Sequence, residues 1–81
     1  MTQSEILISL SEMLGDVLGD DTIVLEPQTT AKEVAGWDSL ANIKFMLAIQ
    51  QTFRVRFAAG EVGRLKNVGE LVDLISRRIA T

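Results

Sequence analysis

Ser39 is the side chain best placed for chemistry, because it stands at the predicted start of a helix. It lies in the segment Gly36-Trp37-Asp38-Ser39-Leu40. Asp38 is a good N-cap, since its carboxylate can accept a hydrogen bond from an unpaired N–H group of the first turn. The hydroxyl of Ser39 is then free to face solvent near the positive end of the helix dipole, where a phosphate is favoured. An ordinary helix start is the alternative, since it carries the same Asp-Ser signal.

The helix predicted after Asp38, over Ser39–Phe53, has apolar residues on two sides. We expect the side with four large residues to face the core, and these are Phe45, Met46, Ile49 and Phe53. The second side also holds the polar residues Lys44 and Gln51, and its apolar residues are Leu40, Ile43 and Leu47. A surface helix needs only one apolar stripe, so the second indicates a docking surface beside Ser39. A helix buried on both sides is the alternative.

Trp37 is the single tryptophan and lies two residues before Ser39. It has two interpretations. Its indole ring could line the entry to whatever Ser39 carries. It could instead cover the edge of the core where the preceding loop meets the helix.

Composition excludes several classes of protein. The 81 residues contain no histidine and no cysteine, which removes the commonest general base, the commonest metal ligand and any thiolate site. We therefore expect one domain over residues 1–81 that is not an enzyme and has no catalytic residue and no metal. No targeting signal and no membrane-spanning apolar run is visible, so we expect a monomer in the cytoplasm that does not contact membranes.

Charge is divided unevenly along the chain. Residues 1–38 hold eight acidic residues and one basic residue, whereas residues 39–81 hold three acidic and seven basic ones, for a net charge of −3. Such asymmetry favours oriented docking. A basic patch is possible at Arg54, Arg56, Arg64 and Lys66. Nucleic acid is not predicted as a partner, because the overall balance is acidic.

The spacing of apolar residues predicts an all-α fold of three main helices and one short helix. The first helix covers Gln3–Leu18, with Thr2 to Glu5 as a capping box, Gly19 as its end and a buried face at 6, 7, 10, 13, 14, 17 and 18. A long connection over 20–38 follows, pinned to the core by Ile23, Val24, Leu25 and Val34, with a possible short strand at 23–25.

Beyond the second helix, Val55 and Phe57 are expected to fold an extended link onto the core. A short helical turn is predicted within 58–64. The last helix is predicted over Asn67–Ala80, with Asn67 and Glu70 as a capping box. Its buried face should comprise Val68, Leu71, Val72, Ile75 and Ile79.

Gly36-x-Asp38-Ser39-Leu40, followed by apolar residues at 43, 45, 46, 47, 49 and 53 and by Val55 and Phe57, resembles the acyl carrier protein family. The resemblance covers nearly the whole chain, including the long acidic loop and the short third helix.

This resemblance implies a function. Ser39 is expected to receive 4′-phosphopantetheine from coenzyme A through a phosphopantetheinyl transferase, when its hydroxyl attacks the phosphate and a phosphodiester forms. The arm ends in a thiol that holds acyl or aminoacyl groups as thioesters. By analogy, Asp38 helps bind the transferase or its metal, and Leu40, Ile43 and Leu47 are the apolar docking contacts for partner enzymes. Trp37 and Lys44 complete the expected partner-binding residues, and the partners are acyl-loading and acyl-processing enzymes.

The second helix departs from family members of bulk fatty acid synthesis, which typically carry acidic residues there. No acid occurs between Asp38 and Glu61, and Lys44 is basic. A partner that selects negative charge on this helix is repelled by Lys44. We therefore expect a carrier for a secondary metabolite or a specialised lipid. A helical interaction module without a covalent cofactor is the alternative.

Overall fold

The computed structural model describes residues 1–58 and 60–80. Its three α-helices are α1 (Gln3–Leu18), α2 (Ser39–Phe53) and α3 (Val68–Ala80), with short 3₁₀ helices at Ala31–Glu33 and Val62–Arg64. The predicted all-α bundle is confirmed, and the bounds of its first two helices are correct. Within the two described ranges no strand forms, so the possible strand at 23–25 is wrong. The turn predicted within 58–64 is observed over 62–64, while Ala59 lies outside the described residues.

The core is formed by the inner faces of the three helices, with Leu25 and Val55 added from the connecting segments. Helix α1 contacts both α2 and α3. The fully enclosed side chains are Ile6, Leu10, Leu14, Phe45, Ile49 and Ile75. In the described ranges, no helix is both long enough and apolar enough to cross a membrane.

Two positions of the expected core are corrected by the structure, and one buried residue was not predicted. Val24 is 78% exposed, because it lies between Ile23 and Leu25, and adjacent side chains of an extended segment point to opposite sides. Ile79 is 39% exposed and lies in the last turn of α3, beyond the residues that pack on the core. Leu74 is buried in its place.

The helix ends follow local capping chemistry. At α1, the Thr2 hydroxyl accepts from the Glu5 N–H at 3.1 Å and the Glu5 carboxylate accepts from the Thr2 N–H at 2.8 Å, which confirms the capping box. Gly19 ends the helix at φ +69°. The box predicted for α3 is half formed: the Asn67 side chain accepts from the Glu70 N–H, but the Glu70 carboxylate accepts from Lys66.

The long segment between α1 and α2 is tied to both α1 and α3. The Ser11 hydroxyl donates to the Leu7 carbonyl of its own helix and accepts from the Leu25 N–H at 2.9 Å. At the other end, the carbonyls of Pro27 and Thr29 accept from the first-turn N–H groups of α3 at 2.7 and 2.8 Å. The segment therefore satisfies its own backbone and part of the unpaired start of α3.

The link between α2 and α3 is held by Glu61 and Arg78. The Glu61 carboxylate accepts from the Ala58 N–H and is paired with the Arg78 guanidinium, which also donates to the Arg56 carbonyl at 2.7 Å. The hydrogen bond from Ala58, followed by that from Arg78, lowers the pKa of the Glu61 carboxyl. The carboxylate therefore stays ionised and keeps the link against α3 at neutral pH.

Two glycines mark places where backbone segments approach closely. A Cβ at Gly15 would lie 2.7 Å from the Asp20 carbonyl oxygen, and one at Gly69 would lie 2.9 Å from the Pro27 carbonyl oxygen. Both neighbours are backbone atoms, so neither can turn aside as a flexible side chain does. Glycine at these positions lets the long segment pack directly against α1 and α3.

Gly15→Ala should therefore destabilise the fold, although alanine is the better helix former by about 1 kcal/mol. The new methyl group must displace the Asp20 backbone, whose N–H donates to the Gly15 carbonyl at 2.9 Å. We expect the free energy of unfolding in urea to fall by about 1–3 kcal/mol. Gly63→Ala is the matched control, because a Cβ there meets nothing within 4 Å. A Gly15→Ala protein more stable than wild type would contradict the close approach.

Candidate functional site

The chain enters α2 through a tight turn that depends on Gly36. Gly36 has φ +86°, a conformation that glycine adopts at little cost. Its carbonyl accepts from the Asp38 N–H at 2.9 Å, and the Trp37 N–H donates to the Val34 carbonyl at 3.2 Å. These bonds fix the backbone immediately before the helix and orient Asp38 toward its first turn.

Asp38 is the N-cap of α2, as predicted. Its carboxylate accepts from the Ala41 N–H at 2.9 Å, and its carbonyl accepts from the Asn42 N–H at 2.8 Å. Ser39 occupies the first helical position and is exposed. Within residues 1–58 and 60–80, its hydroxyl makes no hydrogen bond. Because Asp38 does the capping, this hydroxyl is available in solvent at the positive end of a helix of 15 residues.

The position of Trp37 is compatible with both of its interpretations. The indole ring is half-buried and meets Phe45 edge-on, with ring centroids 5.4 Å apart and an interplanar angle of 86°. Its Nε1–H donates to the Asn42 side-chain oxygen at 3.0 Å. The ring thus covers the edge of the core and also lines a surface pocket that contains Ser39.

That pocket has a volume of about 360 Å³ and is lined by four separate segments of the chain. Its lining mixes apolar side chains with amides and hydroxyls: Thr29, Ala31, Trp37, Asp38, Ser39, Asn42, Val62, Leu65, Lys66, Asn67, Val68 and Leu71. Apart from Lys66, which was assigned to a possible basic patch, the sequence pattern did not identify Asn42 or the residues after 61 as part of a site. No local signal marks them, because only the folded chain brings them together.

The division of α2 into two sides is confirmed. Phe45 and Ile49 are fully buried and Met46 and Phe53 partly so, whereas Leu40, Ile43 and Leu47 are 62%, 59% and 53% exposed. These three residues are called the exposed stripe below. Lys44 is exposed next to the stripe and lines a second pocket with Leu40. The structure thus has an apolar surface beside Ser39, with Lys44 as the charge contributed by α2 and with Asp20 and Asp38 lining the same pocket.

Comparison with known proteins identifies the family of this chain. A family model described as a phosphopantetheine attachment site matches residues 9–75. An acyl carrier protein of Acidothermus cellulolyticus is 33% identical over 76 residues, which are 94% of this chain and 90% of the relative. One from Thermosynechococcus vestitus is 30% identical over 80 residues, or 99% of each chain.

Among solved structures, the solution NMR structure of holo acyl carrier protein from Geobacter metallireducens matches with a TM-score of 0.83 and 36% identity. The match covers 91% of this chain and 85% of that one. The chain therefore belongs to the acyl carrier proteins, which carry acyl groups on phosphopantetheine and are not themselves catalysts.

Proposed function

We propose that Ser39 is the attachment point of the phosphopantetheine arm. The observation that supports this most directly is its exposed hydroxyl, which is free of hydrogen bonds to the described residues and stands at the head of α2. The N–H groups of Ser39 and Leu40 precede the first intrahelical bonds and are able to meet a phosphate oxygen. Asp38 keeps this arrangement in place by capping the next amide.

The surroundings of Ser39 fit such an arm. When attached, the arm supplies the thiol that this cysteine-free chain lacks, and acyl or aminoacyl groups are held on it as thioesters. The adjoining pocket offers amide and hydroxyl groups at Thr29, Asn42 and Asn67 and apolar surface at Val62 and Leu65. Polar atoms of an arm and the carbon chain of a cargo each find matching groups there.

The exposed stripe, Lys44 and Trp37 form the proposed docking surface. We propose that it meets the phosphopantetheinyl transferase and then the enzymes that load and process the acyl group. Apolar side chains that remain exposed beside a reactive group are typical of interaction sites. Because every partner must reach Ser39, each is expected to cover part of this stripe.

We further propose that the carrier serves a secondary-metabolite or specialised-lipid pathway rather than bulk fatty acid synthesis. The support is the charge of α2, which has Lys44 and no acidic residue between Asp38 and Glu61. An enzyme whose docking face is basic gains no attraction from such a helix and is repelled by Lys44.

The attachment site is tested by intact mass after co-expression with a broad-range phosphopantetheinyl transferase. Wild type should gain the mass of one phosphopantetheine moiety, and Ser39→Ala should gain none. Ser4→Ala is the matched control, because Ser4 is also exposed in the first turn of a helix. A folded wild-type chain without the added mass would favour a non-covalent interaction module instead.

The two roles proposed for Asp38 can be separated by substitution. Asp38→Ala should lower the free energy of unfolding by about 0.5–2 kcal/mol, whereas Asp38→Asn should retain most of it, because asparagine caps as well as aspartate. If the carboxylate also contacts the transferase or its metal, Asp38→Asn should slow modification about tenfold. Urea denaturation and initial rates of modification measure the two effects. Modification of Asp38→Asn at the wild-type rate would restrict Asp38 to capping.

Lys44→Glu should improve loading by the malonyl transferase of bacterial fatty acid synthesis. Reversing one exposed charge should raise the initial rate about two- to fivefold at low salt and less at high salt. Lys32→Glu is the control, because it makes the same change in the loop before α2. Efficient loading of wild type that Lys44→Glu leaves unaltered would contradict the specialised role.

A further inference from the structure

Arg54, the residue that ends α2, has a backbone conformation that disfavours arginine. Its φ is 56° and its ψ is 45°, and along residues 1–58 and 60–80 no other non-glycine residue has positive φ. Its N–H donates to the Gln50 carbonyl, so this left-handed residue completes the helix end. Glycine is the usual residue in this position, because it has no Cβ to clash.

The Arg54 side chain makes no polar contact within the described residues. Arg54 is exposed, and its guanidinium makes no hydrogen bond or ion pair with the part of the chain that the structure describes. The Arg56 guanidinium likewise makes no hydrogen bond or ion pair with the described residues, although the backbone carbonyl of Arg56 accepts from Arg78. Strained backbone at a surface position with no internal contact suggests an external one.

Arg56 lines a pocket between the end of α2 and the link to α3, and Arg54 lies two residues before it in the chain. The pocket has a volume of about 310 Å³ and is lined by Leu47, Gln50, Gln51, Val55, Arg56 and Phe57. The Gln50 side chain accepts from the Phe57 N–H at 3.2 Å, which fixes one wall. Leu47 is also the last residue of the exposed stripe, so the pocket continues the proposed docking surface.

We propose that this pocket, with Arg54 and Arg56, is a second docking contact that receives an apolar side chain flanked by carboxylates on an enzyme of the carrier's pathway. The proposal rests on the attachment of the arm at Ser39. At 1.5 Å per residue, Arg54 is about 22 Å along α2 from Ser39. One enzyme face of about 800 Å² can span that distance. No acidic residue occurs between Ser39 and Phe57, and the Glu61 carboxylate beside Ala58 is paired with Arg78.

The same features favour a protein partner over nucleic acid or a lipid surface. The pocket presents the apolar side chains of Leu47, Val55 and Phe57 beside its charge. A nucleic-acid site needs a broader basic face, and an anionic membrane attracts clusters of four to eight basic residues. The chain as a whole has a net charge of −3, which repels both polyanions.

Arg54→Gly gives a sharp test, because it removes the charge and introduces the residue that the backbone prefers. The melting temperature of the variant should stay the same or rise, so a slower loading of the carrier cannot be attributed to unfolding. Arg56→Gln is the second variant. Lys32→Gln is the control for loss of one positive charge elsewhere.

Two enzymes serve as probes: the malonyl transferase of bacterial fatty acid synthesis, and an acidic version in which glutamate replaces the arginines and lysines of its docking face. The two are compared at concentrations that give equal rates of malonyl-coenzyme A hydrolysis. The acidic version should load the wild-type carrier faster at low salt. Arg54→Gly and Arg56→Gln should each reduce that advantage about 1.5- to 5-fold, and Lys32→Gln should not. High salt should abolish the difference.

Each variant is first checked for the added arm. A folded wild-type chain that gains no arm contradicts the attachment at Ser39, whereas arm-bearing variants whose loading is independent of Arg54 and Arg56 overturn only the second contact. Binding of wild type to duplex DNA or to phosphatidylserine vesicles, lost in Arg54→Gly, would also overturn it in favour of a polyanion site.

Discussion

The structure depends on how the long segment between α1 and α2 satisfies its backbone. It forms no strand in the described ranges, so its polar groups need other partners. The Ser11 hydroxyl accepts from Leu25, and the carbonyls of Pro27 and Thr29 accept from the start of α3. One segment thereby closes the bundle on two sides. Because its path is fixed at these points, the direction from which Asp38 enters α2 is fixed as well.

This arrangement leaves α2 with one side buried in the core and another exposed to solvent. Phe45 and Ile49 are fully buried, while the exposed stripe contributes little to the core. Full burial of a leucine or isoleucine is worth about 1.5–3 kcal/mol, so each half-exposed residue of the stripe retains about half of that for a complex. Summed over the three residues of the stripe, this free energy is a large fraction of the stability that an 81-residue domain can have.

The features that the sequence predicted well are those decided by neighbours in the chain. The starts of α1 and α2 follow from Thr2 and Asp38, and the two sides of α2 follow from helical period. Leu74 and Ile79 were misjudged because packing between distant parts of the chain decides their burial. Val24 and the cap at Glu70 were misjudged because the local path of the backbone turns Val24 outward and brings the Lys66 N–H to the Glu70 carboxylate. The pocket beside Ser39 was missed because four segments supply its lining. The left-handed conformation of Arg54 was also not predicted, because the sequence signal for such a conformation is usually a glycine and not an arginine.

A chain without histidine or cysteine takes its chemistry from an attached group and from its partners. What its own residues can decide is which enzyme comes within reach of Ser39. In the proposed docking, the exposed stripe offers the same apolar surface to every partner, so it would provide affinity without much discrimination. Charge can discriminate, because it attracts one enzyme face and repels another. Three exposed charges, at Lys44, Arg54 and Arg56, at about 0.2–1 kcal/mol each, can separate two such faces by about 0.6–3 kcal/mol. That difference is about three- to 150-fold in affinity, which at its upper end is enough to keep a carrier within one pathway while its fold and its arm are common to many.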